Sequence, residues 1–185
     1  MNDFLTLDLF KIYPDVILPK FETMGAACFD LRAYLNPENC PTIKSFWGTS
    51  QHMIPYDPSQ CKVQEVPVDT ERKCISLLPN MRYLIPTGIK MDIPEGYHVQ
   101  ILPRSSTGLK VGLSIPNSMG IIDSDYTDEV FLIFLNISSF ITHISHEDRL
   151  AQGMLVKNVE YKITESSLDI KPKGDRTGGL GSTGK

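Results

Sequence analysis

The sequence predicts an all-β sandwich or barrel. Three observations carry this. Short runs alternate apolar and polar residues with the period of a pleated strand, turn residues punctuate them, and no window shows a long, capped helix of 3.6-residue period.

The elements follow in chain order. Tyr83-Leu84-Ile85 reads as a strand that stops at Pro86, Thr87 and Gly88. Ile89-Lys90-Met91-Asp92-Ile93 alternates, Pro94-Glu95-Gly96 turns the chain, and Tyr97-His98-Val99-Gln100-Ile101 alternates again. Val130 to Ile137 is almost wholly apolar, the pattern of a strand buried on both faces, and Leu150 to Val159 reads as a further strand. Two regions break the pattern. Asn39 to Cys74 carries Pro41, Pro55, Pro58 and Pro67 with three of the four cysteines, and reads as an inserted loop or irregular hairpin. From residue 171 a tail begins in which Gly178, Gly179, Gly181 and Gly184 crowd together. The expected division is a β domain over 1–170, with the insertion at about 39–74, and a flexible arm over 171–185.

The chain of 185 residues suits one domain, and 41% hydrophobic with 22% charged residues is ordinary globular composition. A formal net charge of -4 argues against general nucleic-acid binding, which needs a basic field, but leaves a small anionic ligand open. No secretory leader and no run of membrane-span length is read. Cys28, Cys40, Cys61 and Cys74 are irregularly spaced, so the expectation is free thiols in the cytoplasm, or in a host cell's cytoplasm for a viral chain. Zinc on Cys40, His52, Cys61 and Cys74 is the weaker reading.

Five segments carry candidate chemistry. Gly178 to Gly184 offers backbone N–H groups that converge on an anion without a Cβ in the way. Ser182 and Thr183 add hydroxyls, and Arg176 adds a planar guanidinium. The same composition also reads as a plain linker. Pro103-Arg104-Ser105-Ser106-Thr107-Gly108 ends a strand with a cation and three hydroxyls, suited to phosphate oxygens or to a polar turn. In Asn117-Ser118-Met119-Gly120-Ile121-Ile122-Asp123-Ser124-Asp125-Tyr126, the Asp123 carboxylate suits activation of a water, Asn117 suits the edge of a pyrimidine, and Tyr126 offers a flat face; an Asx turn explains the segment equally. Asp30, in Cys28-Phe29-Asp30-Leu31-Arg32, suits a phosphate-bound magnesium through water, or an ion pair with Arg32 or another base. Asp148-Arg149 reads as a structural pair opening a strand, with Gln152 a polar contact beyond it. His143 and His146 lack a helix that would make them ligands, and Asn136-Ile137-Ser138 matches a glycosylation acceptor inside a buried-strand pattern.

The order of these segments is more informative than any one of them. Ala27-Cys28-Phe29-Asp30-Leu31, Pro103-Arg104-Ser105-Ser106, Gly120-Ile121-Ile122-Asp123-Ser124-Asp125-Tyr126, Asp148-Arg149-Leu150-Ala151-Gln152 and Gly178-Gly179-Leu180-Gly181-Ser182-Thr183-Gly184 occur in sequence. This resembles the five ordered motifs of the trimeric dUTP pyrophosphatase (dUTPase) family, over nearly the whole chain outside Asn39 to Cys74. The resemblance implies a jelly-roll-like β fold, a homotrimer with shared active sites, and Mg2+-dependent cleavage of dUTP to dUMP and pyrophosphate. It implies that Asp123 positions the attacking water, and that Tyr126 packs on the deoxyribose. Asn117 and nearby backbone, including Gly120, would read uracil. Arg104, Ser105, Ser106 and Gln152 would hold phosphates, and Asp30 would support the metal through water. The tail, with Arg176, Leu180, Gly181, Ser182 and Thr183, would cover a neighbouring subunit's site.

The chain departs from the family pattern at four places. Leu180 stands where an aromatic residue usually stacks on uracil, and Arg176 lies one residue after the usual arginine slot, which holds Asp175. Glu147 replaces a usual glycine, and Thr127-Asp128 replaces an arginine-glycine pair, a change that aspartate's tolerance of left-handed geometry would soften. Two other functions compete. A dCTP deaminase of the same superfamily would need a glutamate in the strand that here reads Phe131-Leu132-Ile133-Phe134-Leu135-Asn136, with Ile133 in its place. A regulator acting through the insertion would use Phe46, Trp47 and Tyr56 as anchors.

Overall fold

The computed structural model describes residues 5–40, 42–47, 62–169, 171 and 174. Among these the chain is nearly all β, in thirteen strands: β1 Asp8–Lys11, β2 Phe29–Arg32, β3 Thr42–Trp47, β4 Lys62–Pro67, β5 Cys74–Leu77, β6 Arg82–Pro86, β7 Ile89–Asp92, β8 Tyr97–Pro103, β9 Leu113–Ser114, β10 Gly120–Asp123, β11 Phe131–Asn136, β12 Thr142–Ser145 and β13 Arg149–Lys157. A four-stranded antiparallel sheet runs β10-β8-β13-β2, and a five-stranded one runs β4-β3-β6-β11-β9. Two ribbons, β1-β7 and β12-β5, complete a jelly-roll-like all-β fold.

The core lies where the two larger sheets face each other. Leu31, Val99, Ile101 and Ala151 come from the first sheet, and Ile43, Tyr83, Ile85, Leu113, Leu132 and Phe134 from the second. Each such side chain, taken wholly from water, contributes about 1.5–3 kcal/mol. Period-two alternation decides which residues these are. Phe29 and Leu31 of β2 point inward while Asp30 and Arg32 turn outward. Gly153 of β13 lies opposite Phe29, whose ring would stand 2.5 Å from a Cβ at that position, so the close approach admits only glycine.

The strand expectations at residues 83–85, 89–93, 97–101 and 150–159 correspond to β6, β7, β8 and β13. The expectation for Val130 to Ile137 needs correcting. β11 buries Leu132, Phe134 and Asn136 but leaves Ile133 41% exposed, so within one chain only one of its faces is covered. Asn136 is fully buried and donates to Leu77 O (2.8 Å) and Phe140 O (2.9 Å), which removes it as a glycosylation acceptor.

The segment over 39–74 takes the hairpin form: β3 pairs with β4 from Thr42↔Pro67 to Trp47↔Lys62 and also joins β6 at Lys44↔Leu84. It therefore extends the five-stranded sheet and covers the edge of β6. Tyr56, His52 and Cys61, named above as anchor and zinc candidates, lie outside the described residues, as does the side chain of Trp47. Cys28, Cys40 and Cys74 are free thiols.

Candidate functional site

Strand register places the candidate residues in two rows across one face of the four-stranded sheet. Directly opposed residues in an antiparallel pair share a face. Val99 and Ile101 point into the core, so His98, Gln100 and Leu102 point out of it. The first row runs Asp30–Gln152–Leu102, because Gln152 lies opposite both Asp30 and Leu102. The second runs Val156–His98–Asp123. Ile121, 47% exposed, lies opposite Gln100 between them.

The first row is the charged one. Asp30 Oδ1 accepts from Arg104 Nε at 2.9 Å, and its Oδ2 accepts from Arg149 Nη1 at 3.1 Å. Its side chain is only 12% exposed, so this carboxylate is a held group and not a loose surface charge. Arg104 reaches it because Pro103 ends β8 and the chain turns into a short helical segment. Thr107 N and Gly108 N donate back to Arg104 O at 3.0 and 3.3 Å, and the buried Thr107 hydroxyl donates to Leu150 O at 2.8 Å. This segment carries the exposed Ser105 and half-buried Ser106, and it continues as a π-helical turn over Thr107–Val111. Gln152 Nε2 lies 3.4 Å from Pro103 O. A cavity of about 290 Å³ opens beside this row, between Arg104, Ser106, His143 and Arg149.

The second row and its turn hold the remaining candidates. Asp123 is exposed at the end of β10, and its carbonyl accepts from Tyr126 N at 3.1 Å. The Tyr126 hydroxyl donates to Glu129 O at 2.7 Å, and burial raises its pKa from the ordinary value, helped by Asp128 and Glu129. Asn117 sits before β10 and donates from Nδ2 to Met119 O at 3.2 Å. Gly120 faces Ile101 across the ladder, where a Cβ would come within 3.3 Å of the isoleucine.

Three sequence readings change or narrow. Arg149 does not pair with Asp148: it closes on Asp30, while Asp148 Oδ2 accepts from Ser145 N at 2.7 Å. The β2–β13 register brings Asp30 and Arg149 together across 119 residues of sequence, so no local pattern announces it. Of the two ion-pair alternatives for Asp30, the pairing with another base holds, with Arg104 and Arg149, while Arg32 Nη1 donates to Glu147 O at 2.9 Å. Asp128 is not left-handed. The positive φ values among non-glycine residues belong to Lys73, Asn80, Ser118 and Glu147, the last at 68°. Arg176, Leu180, Gly181, Ser182 and Thr183 lie outside the described residues.

Comparisons with known proteins identify the family. The family model described as dUTPase matches residues 70–184. The deoxyuridine 5'-triphosphate nucleotidohydrolase of Roseobacter denitrificans is 37% identical over 169 residues, covering 91% of this chain and 88% of that protein. A Staphylococcus bacteriophage 80alpha dUTPase variant with dUpNHpp superposes with a TM-score of 0.67 at 15% identity, covering 97% of this chain and 98% of the other. A dUTPase variant from phage phi11 of S. aureus, whose structure concerns coordination of a structural Mg(II) ion, superposes with a TM-score of 0.61 at 16% identity over 88% and 97%. With the family model spanning more than half its length, and a relative this similar along nearly all of it, the chain belongs to the dUTPase family.

Proposed function

We propose that this protein hydrolyses dUTP to dUMP and pyrophosphate with Mg2+, in a homotrimer whose active sites are shared between subunits. The observation that carries this is the separation of the two rows. His98 and Leu102 are four residues apart on β8, so the rows stand ~13 Å apart along the strand, with the Arg104 guanidinium held at the Asp30 row. That separation supports a site in which one copy supplies the Arg104 group and a second copy supplies Asp123. Exposed apolar residues support assembly. Beyond β13 the extended chain presents Val159, Tyr161 and Ile163 at alternate positions, each at least 78% exposed.

In this reading Asp123 takes a proton from a water as its oxygen bonds to the α-phosphorus. The bond from that phosphorus to the β-phosphate bridging oxygen breaks, and pyrophosphate leaves. Arg104, Ser105, Ser106 and Gln152 hold phosphate oxygens, Asn117 and the backbone around Gly120 read uracil, and Tyr126 packs on the sugar. The tail, through Arg176, Leu180, Gly181, Ser182 and Thr183, closes over the nucleotide and excludes bulk water.

No cluster of three His, Cys, Asp or Glu ligands occurs among the described residues. Magnesium takes one or two carboxylates and fills its remaining positions with phosphate oxygens and water. Asp30, whose two oxygens already accept from Arg104 and Arg149, would support it through water. When bound, the ion offsets charge on the triphosphate. The free thiols suit the cytoplasm, where we place the protein. Deamination finds no support, because β11 carries no acidic residue and Ile133 stands at the required position.

The test is a substrate panel of dUTP, dTTP, dCTP and UTP with Mg2+, read by pyrophosphate release. dUTP should be turned over far faster than the others, and Asp123→Asn should abolish turnover. Equal rates on all four would end the assignment of substrate, ammonia release from dCTP would reinstate deamination, and an active Asp123→Asn would end the role of Asp123.

A further inference from the structure

We infer that His143 is a specificity-determining residue of the phosphate site. Its imidazole meets the terminal phosphate of the nucleotide in the cavity beside Arg104 and Ser106, and makes the site prefer a triphosphate to a shorter nucleotide. The inference rests on the proposed reading of Arg104 and Ser106 as residues that hold phosphate oxygens.

Three contacts bring His143 to this place. Ile144 is buried, so its neighbour His143 on β12 turns outward, directly opposite Ser76 of β5. The Ser76 hydroxyl oxygen lies 3.1 Å from His143 Nδ1 and holds the ring. The Thr142 hydroxyl donates to Val111 O at 3.2 Å, which ties β12 to the end of the π-helical turn that follows Ser106. His143 thereby lines the same cavity of about 290 Å³ as Arg104, Ser106 and Arg149, with room for a phosphate and water.

The donors suit an anion. A serine hydroxyl turns to fit its partner, so when Ser76 donates to Nδ1 the ring hydrogen sits on Nε2, where it can be donated to a phosphate oxygen. Arg104 commits Nε to Asp30 (2.9 Å) and Nη1 to Arg149 O (3.1 Å), and its guanidinium has further N–H donors to offer. Net charge alone does not make the cavity attract phosphate. Asp30 offsets the two arginines, and Asp148 lines the cavity with Oδ2 turned to Ser145 N at 2.7 Å. Directional donors therefore decide what the cavity holds, and His143 adds one on the wall formed by β12, across from Ser106. A phosphate chain gripped by Arg104 and Ser106 stands at the mouth of the cavity, and its free end is the group small and polar enough to enter.

The experiment measures, by calorimetry with Mg2+, the binding of a non-cleavable imido analogue of dUTP and of dUDP to the wild type and to His143→Ala. Loss of one hydrogen bond to a charged group should raise the Kd of the analogue about tenfold. The Kd of dUDP, which has no third phosphate to place in the cavity, should stay within about twofold. His143→Gln, whose amide offers an N–H donor again, should recover part of the loss. Ser76→Ala should show a smaller loss with the same selectivity, and gives a second reading if His143→Ala folds poorly. Unchanged binding of the analogue in these variants, or an equal loss on both ligands, would overturn the inference. A wild type that leaves dUTP uncleaved would instead sink the proposed reaction itself, while binding of the analogue still tests the role of His143.

Discussion

Asp30 and Arg104 meet through Oδ1 and Nε at 2.9 Å, which ties the middle of β2 to the chain just past the end of β8. Arg149 completes the arrangement from the start of β13 at 3.1 Å, so one carboxylate orients two guanidiniums toward the same side of the sheet. Asp30→Asn keeps the shape but offers one acceptor oxygen, and turns an amide N–H toward a cation. The Mg2+ concentration for half-maximal activity should rise about tenfold or more, since the carboxylate proposed to support the ion through water is gone. The loss of stability should be small, about 1 kcal/mol, because the two arginines are 25% and 39% exposed and water replaces part of the contact. A magnesium titration of activity beside a urea melt separates the two effects, and an unchanged titration would remove Asp30 from the metal's surroundings.

Glu147 holds a left-handed backbone at φ 68°, in the position where the family usually has glycine. The geometry is fixed on both sides. Its N–H donates to Ala33 O at 2.8 Å, and its carbonyl accepts from Arg32 at 2.9 Å. A non-glycine residue pays roughly 1–2 kcal/mol in this region, and glycine returns part of that as unfolded-chain entropy. Glu147→Gly should therefore stabilise the fold by about 0.5–1 kcal/mol, a rise of about 1–4 °C in Tm for a chain of this size. The exposed carboxylate lost with it lies 3.7 Å from His146 and contributes little. A thermal melt that moves downward would show that the contact outweighs the strain.

Glu129 gives the fold a pH dependence of definite sign. Burial pushes its carboxyl above the ordinary glutamate value, against the lowering effect of hydrogen bonds from Gly88 N (2.7 Å) and Thr87 N and of Lys90 nearby. Below the unfolded-state value the group is protonated in both states and costs nothing. As pH rises through the unfolded and then the folded value, the unfolded chain ionises first and stability is lost. Glu129→Gln can still accept from Gly88 N but does not ionise. The variant's stability relative to the wild type should therefore increase from about pH 4 to pH 7. Denaturant midpoints across that range check the sign, and a difference that stays flat would mean the carboxyl is not desolvated.

The strands were legible where one face alone is buried. β7 and β8 follow the period-two rule residue by residue, and Gly96 at φ 80° makes the turn between them, as the Pro94-Glu95-Gly96 pattern indicates. β11 misled because its outward face carries Ile133 and Leu135; apolar runs do not distinguish a strand covered within its chain from one that awaits a partner. In the site, Asp30, Arg104 and Asp123 were legible as residue types in ordered motifs. Their grouping was not, because Asp30–Arg149 and His98–Asp123 arise from register between strands far apart in sequence. Sequence proximity instead suggested Asp148 as the partner of Arg149. The insertion was readable as a loop or an irregular hairpin, but its pairing to β6 was hidden for a similar reason, since it depends on residues nearly forty positions later.

The separation along β8 makes its own prediction about assembly. Asp123→Asn removes one half-site and leaves the other intact, and Arg104→Ala does the reverse. Each purified variant should be inactive. If every site takes Asp123 from one subunit and Arg104 from another, mixing the two variants under conditions that exchange subunits rebuilds some sites with both groups. Random assembly at equal amounts makes about a quarter of sites complete in a closed cyclic oligomer. Activity should then recover to about that fraction of the wild type, and titrating one variant against the other should give a maximum near equal amounts. Subunits that each complete their own site, with the two rows ~13 Å apart along β8, would give no such recovery, since each variant lacks one of the two groups. Exchange confirmed by a mass-tagged subunit, with activity still absent, would mean that each chain folds its own site, and that the ladder between β8 and β10 must open to let it do so.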